Sequence, residues 1–169
     1  ISNAGGVNVE SCAAALQQLI DAAGLTLKVA TVQGDNLMPQ LAQLREQQPR
    51  EIDTDATLPD SVISVNAYLG APAIATALAR GADIVITGRC VDSALALGAL
   101  IHAFGWKVHD YDRLAAGSLV GHLLECGPQA TGGLSTDWRD VPDWASIGYP
   151  IATCAPDGSF TISKPEGSG

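Results

Sequence analysis

The chain has 169 residues, 47% of them hydrophobic, and a formal net charge of −9. That length and apolar content suit a single α/β domain, residues 1–169, with a substantial core, and they exclude a disordered chain. The acidic balance argues against nucleic-acid and anionic-membrane partners, and no apolar run reaches the roughly 18 residues of a membrane span.

Ile1-Ser2 reads as the end of a strand, and Asn3-Ala-Gly5-Gly6-Val-Asn8 as the turn after it. Asn8 is placed to cap a helix over 9–23, which Gly24 closes. Leu27 to Val32 reads as a strand, ending at Gln33-Gly34-Asp35-Asn36. Asp35 or Asn36 then caps a helix over 37–47. Residues 48–60 are polar, with two prolines, and form a loop. Val62 to Val65 predicts a short strand, Asn66 to Gly70 a loop, and 72–80 a helix of small residues stopped by Gly81.

The most informative stretch is Gly81-Ala-Asp-Ile-Val-Ile-Thr-Gly-Arg89. Its apolar centre predicts a strand over 83–87 buried on both faces, as in a parallel sheet. Asp92-Ser93 resembles an N-cap for a helix over 92–104 that is apolar on nearly every side. Gly105 ends it. Asp110 or Asp112 caps another helix, over 113–126, in which Gly117 and Gly121 allow a neighbouring backbone to come close. A Gly-rich loop (127–133) and an irregular stretch (134–149) follow. Residues 151–155 and 159–163 form a hairpin around Pro156-Asp-Gly158. The expected fold is α/β: a mostly parallel sheet flanked by helices, with an appended antiparallel hairpin near the C-terminus.

The chain opens without Met, shows no secretory leader, and closes in a loop at Glu166-Gly-Ser-Gly169, so we expect a segment of a longer protein. Cys12, Cys90, Cys126 and Cys154 form no CxxC pair, which suits reduced thiols in a bacterial-type cytoplasm. No spacing of His, Cys, Asp and Glu suggests a metal site, and neither GxGxxG nor a P-loop is present.

Ligands of parallel sheets sit beyond the carboxyl ends of the strands. The loops expected there carry Asn3, Gly5 and Gly6; Asp35; Asn66 and Tyr68; and Thr87, Gly88 and Arg89, followed by Asp92 and Ser93. Glycines admit a ligand to the backbone, and the helix N-termini that follow favour anions. Arg89 is the one basic residue in these loops, and its fork suits a carboxylate or phosphate; the alternative is an ion pair with Asp83 or Asp92. Asp92 could orient substrate or act as a base, and could equally cap its helix. Glu125 lies in a last helical turn, against the dipole, which suggests a general acid/base role or a plain solvated carboxylate. Cys126 reads as a buried, inert thiol. Thr131, Gly132, Gly133 and Lys164 lie in polar loops able to close over a ligand.

Asn3-Ala-Gly-Gly6, Asn66-Ala-Tyr-Leu-Gly-Ala71, Gly81-Ala-Asp-Ile-Val-Ile-Thr-Gly-Arg89, Asp92-Ser-Ala-Leu-Ala-Leu-Gly98, Gly121-His-Leu-Leu-Glu-Cys-Gly127, Thr131-Gly-Gly133 and Lys164-Pro-Glu-Gly167 occur in one order along the chain. In this it resembles the acyclic terpene utilisation family, in the AtuA-like sense, as an interior segment of that family's N-terminal domain. Two positions depart from the pattern. Val9 replaces a usual proline, and Cys90 a smaller or branched apolar residue. The resemblance implies bacterial breakdown of acyclic terpenoids and branched acids through coenzyme A thioesters. It suggests a lyase step on a 3-hydroxy-glutaryl-type thioester. It carries over no catalytic residues.

The expected function is therefore an enzyme acting on a carboxylate-bearing acyl thioester. Arg89, with Asp92 or Glu125 moving a proton, would form the catalytic group. Coenzyme A would enter as part of the substrate; no other cofactor is indicated. The rival reading is a non-catalytic partner subunit of a degradative complex, with the apolar helices as interface. A homo-oligomer is compatible with either.

Overall fold

A computed structural model describes residues 1–168. The chain gathers into two compact units: Ile1–Leu69 with Ala82–Cys90, and Gly70–Gly81 with the chain from Val91 onward.

The first unit begins with helix α1, Val9–Ala22. Asn8 caps it, its side-chain oxygen accepting the Ser11 N–H at 2.9 Å, and Gly24 follows the end with φ +65°. Val9 is thus the first helical residue, where the exchange of proline for valine is tolerated. Strand β1, Val29–Val32, pairs in parallel with β2, Ile84–Thr87, with Val29 opposite Ile84 and Val32 opposite Thr87. Ser2 adds one parallel bridge on the other flank of β2, donating its N–H to Val85 O and accepting from Thr87 N–H, both at 2.9 Å. Val85 and Thr87 are fully buried, and Val9, Ile20, Val32 and Ile86 complete the apolar core under α1. The expected helix over 37–47 forms as a 3₁₀ turn, Met38–Gln40, running into α2, Leu41–Glu46. Asn36 starts it by accepting the Met38 N–H at 3.0 Å.

Two expectations require correction here. The parallel sheet is smaller than expected: among the described residues it has two strands, and the antiparallel hairpin forms a separate two-stranded sheet. Nor is there a strand over 62–65 among the described residues. Ile63 is fully exposed, and the segment's backbone meets its neighbour only at the Leu37 N–H to Val65 O bond and the Asn36–Asn66 bridge. β-Branched residues favour a strand only where cross-strand neighbours pack against them.

The second unit holds α3, Ala71–Ala79, α4, Ala94–Phe104, and α5, Tyr111–Glu125. Its hairpin pairs β3, Ile151–Cys154, with β4, Phe160–Ser163. Ile74 of α3 is fully buried, and α4 packs on both α3 and α5. Gly121 explains how close α5 comes: a Cβ there would stand 2.7 Å from the Ser93 Cα. Trp106, 6% exposed, donates its indole N–H to Pro156 O at 2.8 Å and ties the hairpin turn to the helices. Asp157 Oδ1 accepts both the N–H and the hydroxyl of Ser159, closing that turn. Helix α4 begins two residues later than expected. Ser93 occupies its N-cap without a side-chain bond, so Asp92 does not cap it. Among the described residues no helix is long and apolar enough to cross a membrane.

Candidate functional site

Within the first unit the segments that follow β1 and β2 enclose a cleft of about 840 Å³. Gly5 and Gly6, the start of α1, the Gln33–Asn36 loop, Ile63, Ser64, Asn66, Tyr68 and Arg89 line it. Of the residues named from sequence, Gly5, Gly6, Asp35, Asn66, Tyr68 and Arg89 meet on this wall. Glu10, Gln33 and Ser64 also line it and were not singled out. Gln33 opens a loop already marked by Gly34 and Asp35, whereas Ser64 was hidden by the strand reading of 62–65.

Asp35 organises the wall. It is 6% exposed. Its Oδ2 accepts the backbone N–H of Arg89 at 2.9 Å and the Asn66 side-chain amide at 3.1 Å. Its main-chain carbonyl accepts the Ala67 N–H at 2.8 Å. One carboxylate therefore joins the loops after β1 and β2 and the 66–68 loop. Charge-assisted bonds of this kind are stronger than neutral ones and fix geometry. Gly88 lies directly against this carboxylate: a Cβ there would overlap Oδ1 and stand 2.8 Å from Oδ2.

Arg89 projects from this frame. Its Nη2 donates to the Tyr68 hydroxyl at 3.1 Å, and its guanidinium carbon lies 5.1 Å from the centre of the Tyr68 ring. The ring holds the planar guanidinium in place on the cleft wall. Asp83, offered as an ion-pair partner from sequence, instead accepts the Lys28 N–H at 2.8 Å. The cleft is not uniformly polar, because Val7 and Ile63, both fully exposed, stand on its rim.

The structure places the remaining candidates elsewhere. Asn3 forms the turn below the cleft, accepting the Gly6 N–H at 3.1 Å, and does not line it. Thr87 is fully buried, its hydroxyl donating to Gly88 O at 2.8 Å, so it serves the core rather than the wall.

Asp92, Ser93, Glu125, Thr131, Gly132, Gly133 and Lys164 belong to the second unit. There Glu125 Oε1 accepts the Cys126 thiol at 2.8 Å. Cys126 is exposed, not buried as expected. That hydrogen bond, with burial and the charges of Glu125 and Asp92, holds the Cys126 thiol above its ordinary range. Thr131 ties its loop to the stretch before β3, donating to Gly148 O at 2.9 Å, and the Gly133 N–H goes to Pro128 O at 2.7 Å. Lys164 is exposed just after β4.

The raised Cys126 has a direct consequence. The thiolate is the nucleophile, and here it forms only at higher pH than in an ordinary cysteine. We expect iodoacetamide to label Cys126 slowly at pH 8 despite its exposure. Glu125→Ala should speed labelling severalfold, read by site-resolved mass spectrometry. Fast labelling of the parent protein at that pH would contradict the assignment.

Among the described residues no group of three or more His, Cys, Asp or Glu is placed to hold a metal ion.

A parallel strand pair with a cleft at its carboxyl ends, ordered by a buried carboxylate and carrying one planar cation, defines a mixed α/β protein with its candidate site on strand-end loops. Across residues 1–169 the chain matches the family described as acyclic terpene utilisation family protein AtuA, and it belongs to that family. Membership implies a role in acyclic terpene utilisation. No curated protein and no solved structure matches the chain.

Proposed function

We propose that this is a bacterial, cytoplasmic catabolic enzyme of acyclic terpenoid and branched-acid degradation, and that its strand-end cleft binds a carboxylate-bearing acyl-coenzyme A thioester. The observation that carries the reading is Arg89, stacked on Tyr68 and held at its backbone by Asp35, on the wall of a cleft large enough for a small organic acid. Arginine recognises carboxylate and phosphate in two-pronged fashion, and the start of α1 beside it presents unpaired N–H groups. Val7 and Ile63 on the rim suit an aliphatic body attached to that anionic group.

The reaction proposed is a carbon–carbon lyase step of the retro-aldol or retro-Claisen kind. It needs a base and stabilisation of a developing enolate. Arg89 is the group offered to hold the substrate's charge. Coenzyme A is part of the substrate in this scheme.

The test uses the full-length protein. Its thermal stability is recorded alone, then with free coenzyme A and with a panel of branched acyl and 3-hydroxy-glutaryl thioesters. A ligand that binds only the folded state raises stability with concentration. A rise of several degrees with a dicarboxylic thioester, and less with its monocarboxylic counterpart, is expected. No shift with any thioester would overturn the reading.

A further inference from the structure

We propose that Tyr68 contacts the ligand directly, its hydroxyl donating a hydrogen bond to the thioester carbonyl oxygen of the acyl group in the cleft. This rests on the acyl-thioester reading of the cleft. Tyr68 lines the cleft and is 60% exposed, so a ligand reaches its hydroxyl. Its backbone is fixed from both sides. The Ala67 N–H donates to Asp35 O at 2.8 Å, and the Leu69 N–H donates to Arg89 O at 3.0 Å. The Asn66 amide adds its bond to Asp35 Oδ2 at 3.1 Å.

The direction of the hydroxyl follows from what its neighbour can do. A guanidinium only donates, so at the 3.1 Å contact with Arg89 Nη2 the Tyr68 oxygen is the acceptor. The phenolic hydrogen therefore turns away from Arg89. Among the described residues nothing accepts it. A hydroxyl whose oxygen accepts from a cation is polarised and donates more strongly. Arg89 contributes here through the bond it already makes with Tyr68.

A neutral, fixed donor of this kind suits an oxygen that is neutral on binding and gains charge during reaction. A carboxylate is charged throughout and is matched by a cation. The thioester carbonyl becomes the enolate oxygen in the carbon–carbon cleavage proposed above, and a donor already in place stabilises that charge as it forms. The proton stays on the phenol throughout.

Phenylalanine at position 68 keeps the ring beside Arg89 and removes only the hydroxyl. It also takes away one acceptor that holds Arg89, which weakens every ligand of that cation alike, so the ratio between two ligands is read. Isothermal titration calorimetry on the full-length protein compares 3-methylglutaryl-coenzyme A with its thioether, in which CH₂ replaces the thioester carbonyl and the carboxylate is kept. The parent protein should bind the thioester about threefold to tenfold more tightly, the range for a neutral hydrogen bond. Tyr68→Phe should bind the two alike. Equal binding by the parent, or a preference that survives in Tyr68→Phe, would overturn the inference and leave the cleft reading standing. Loss of both compounds in Tyr68→Phe would also overturn it, because the thioether has no carbonyl for the hydroxyl to meet. Binding of neither compound by the parent would overturn the cleft reading itself and this inference with it.

Discussion

Arg89→Ala is expected to weaken binding of a carboxylate-bearing thioester by about tenfold to a hundredfold, the cost of losing a charge-assisted contact of roughly 1.5–3 kcal/mol. The melting temperature of the unliganded protein should barely move. The side chain is exposed and lies on Tyr68, itself 60% exposed, so little buried structure depends on it. The backbone bond to Asp35 comes from the Arg89 N–H, which alanine retains. Arg89→Lys sharpens the test. Lysine restores the charge but neither the planar fork nor the stacked geometry, so it should recover only part of the affinity. Titration calorimetry of the three proteins measures this. Full affinity in Arg89→Ala would remove the anion from this wall.

Gly88→Ala is expected to be the more damaging substitution, although it adds a single methyl group. The added carbon would overlap the Asp35 carboxylate, which cannot swing aside without breaking its bonds to Arg89 and Asn66. Overpacking costs about 1–3 kcal/mol. A buried carboxylate deprived of its donors costs about as much again. A loss of about 3 kcal/mol or more in chemical denaturation should follow, accompanied by loss of ligand binding. Gly105→Ala provides the contrast. Its φ of +64° is left-handed, but nothing lies within 4 Å of the added carbon. Only backbone strain of about 1–2 kcal/mol is expected there, with binding intact. Equal effects of the two substitutions would show that Gly88 is required for its backbone and not for the space it leaves to Asp35.

Much of the fold was legible from local chemistry. Asn8 before α1, Gly24 after it, Gly105 after α4 and Pro156-Asp-Gly158 in the hairpin each act within a few residues, so sequence alone places them. The apolar run Ile84–Ile86 is equally plain, because burial on both faces leaves no polar position. What failed depends on partners remote in the chain. The run 62–65 carries strand-like residues but has no strand beside it. Asp92 has the chemistry of a cap, yet the helix starts two residues on.

The candidate site divides in the same way. That the loops at 5–6, 34–36, 66–68 and 89 would face one space follows from the parallel-strand rule, and they line one cleft. That Asp35 would be the residue joining three of them does not follow. Its role comes from burial and from two bonds spanning 54 and 31 residues. Nor could sequence tell that Thr87, one residue from Gly88, points into the core, or that Cys126 stands exposed beside Glu125.

The chain's route between its two units bears on how the protein can be cut and expressed. It leaves the first unit after Leu69, returns at Ala82, and leaves again after Cys90. A clone that stops at Leu69 would keep β1 and discard β2, the strand paired with it. A clone that starts at Val91 would lack α3 and with it Ile74, against which α4 packs. Neither half can be made as one uninterrupted piece. A protease nick near any one of the three crossings should yield fragments that hold together until denaturant is added, so a mild digest gives two bands on a denaturing gel and one peak on a sizing column.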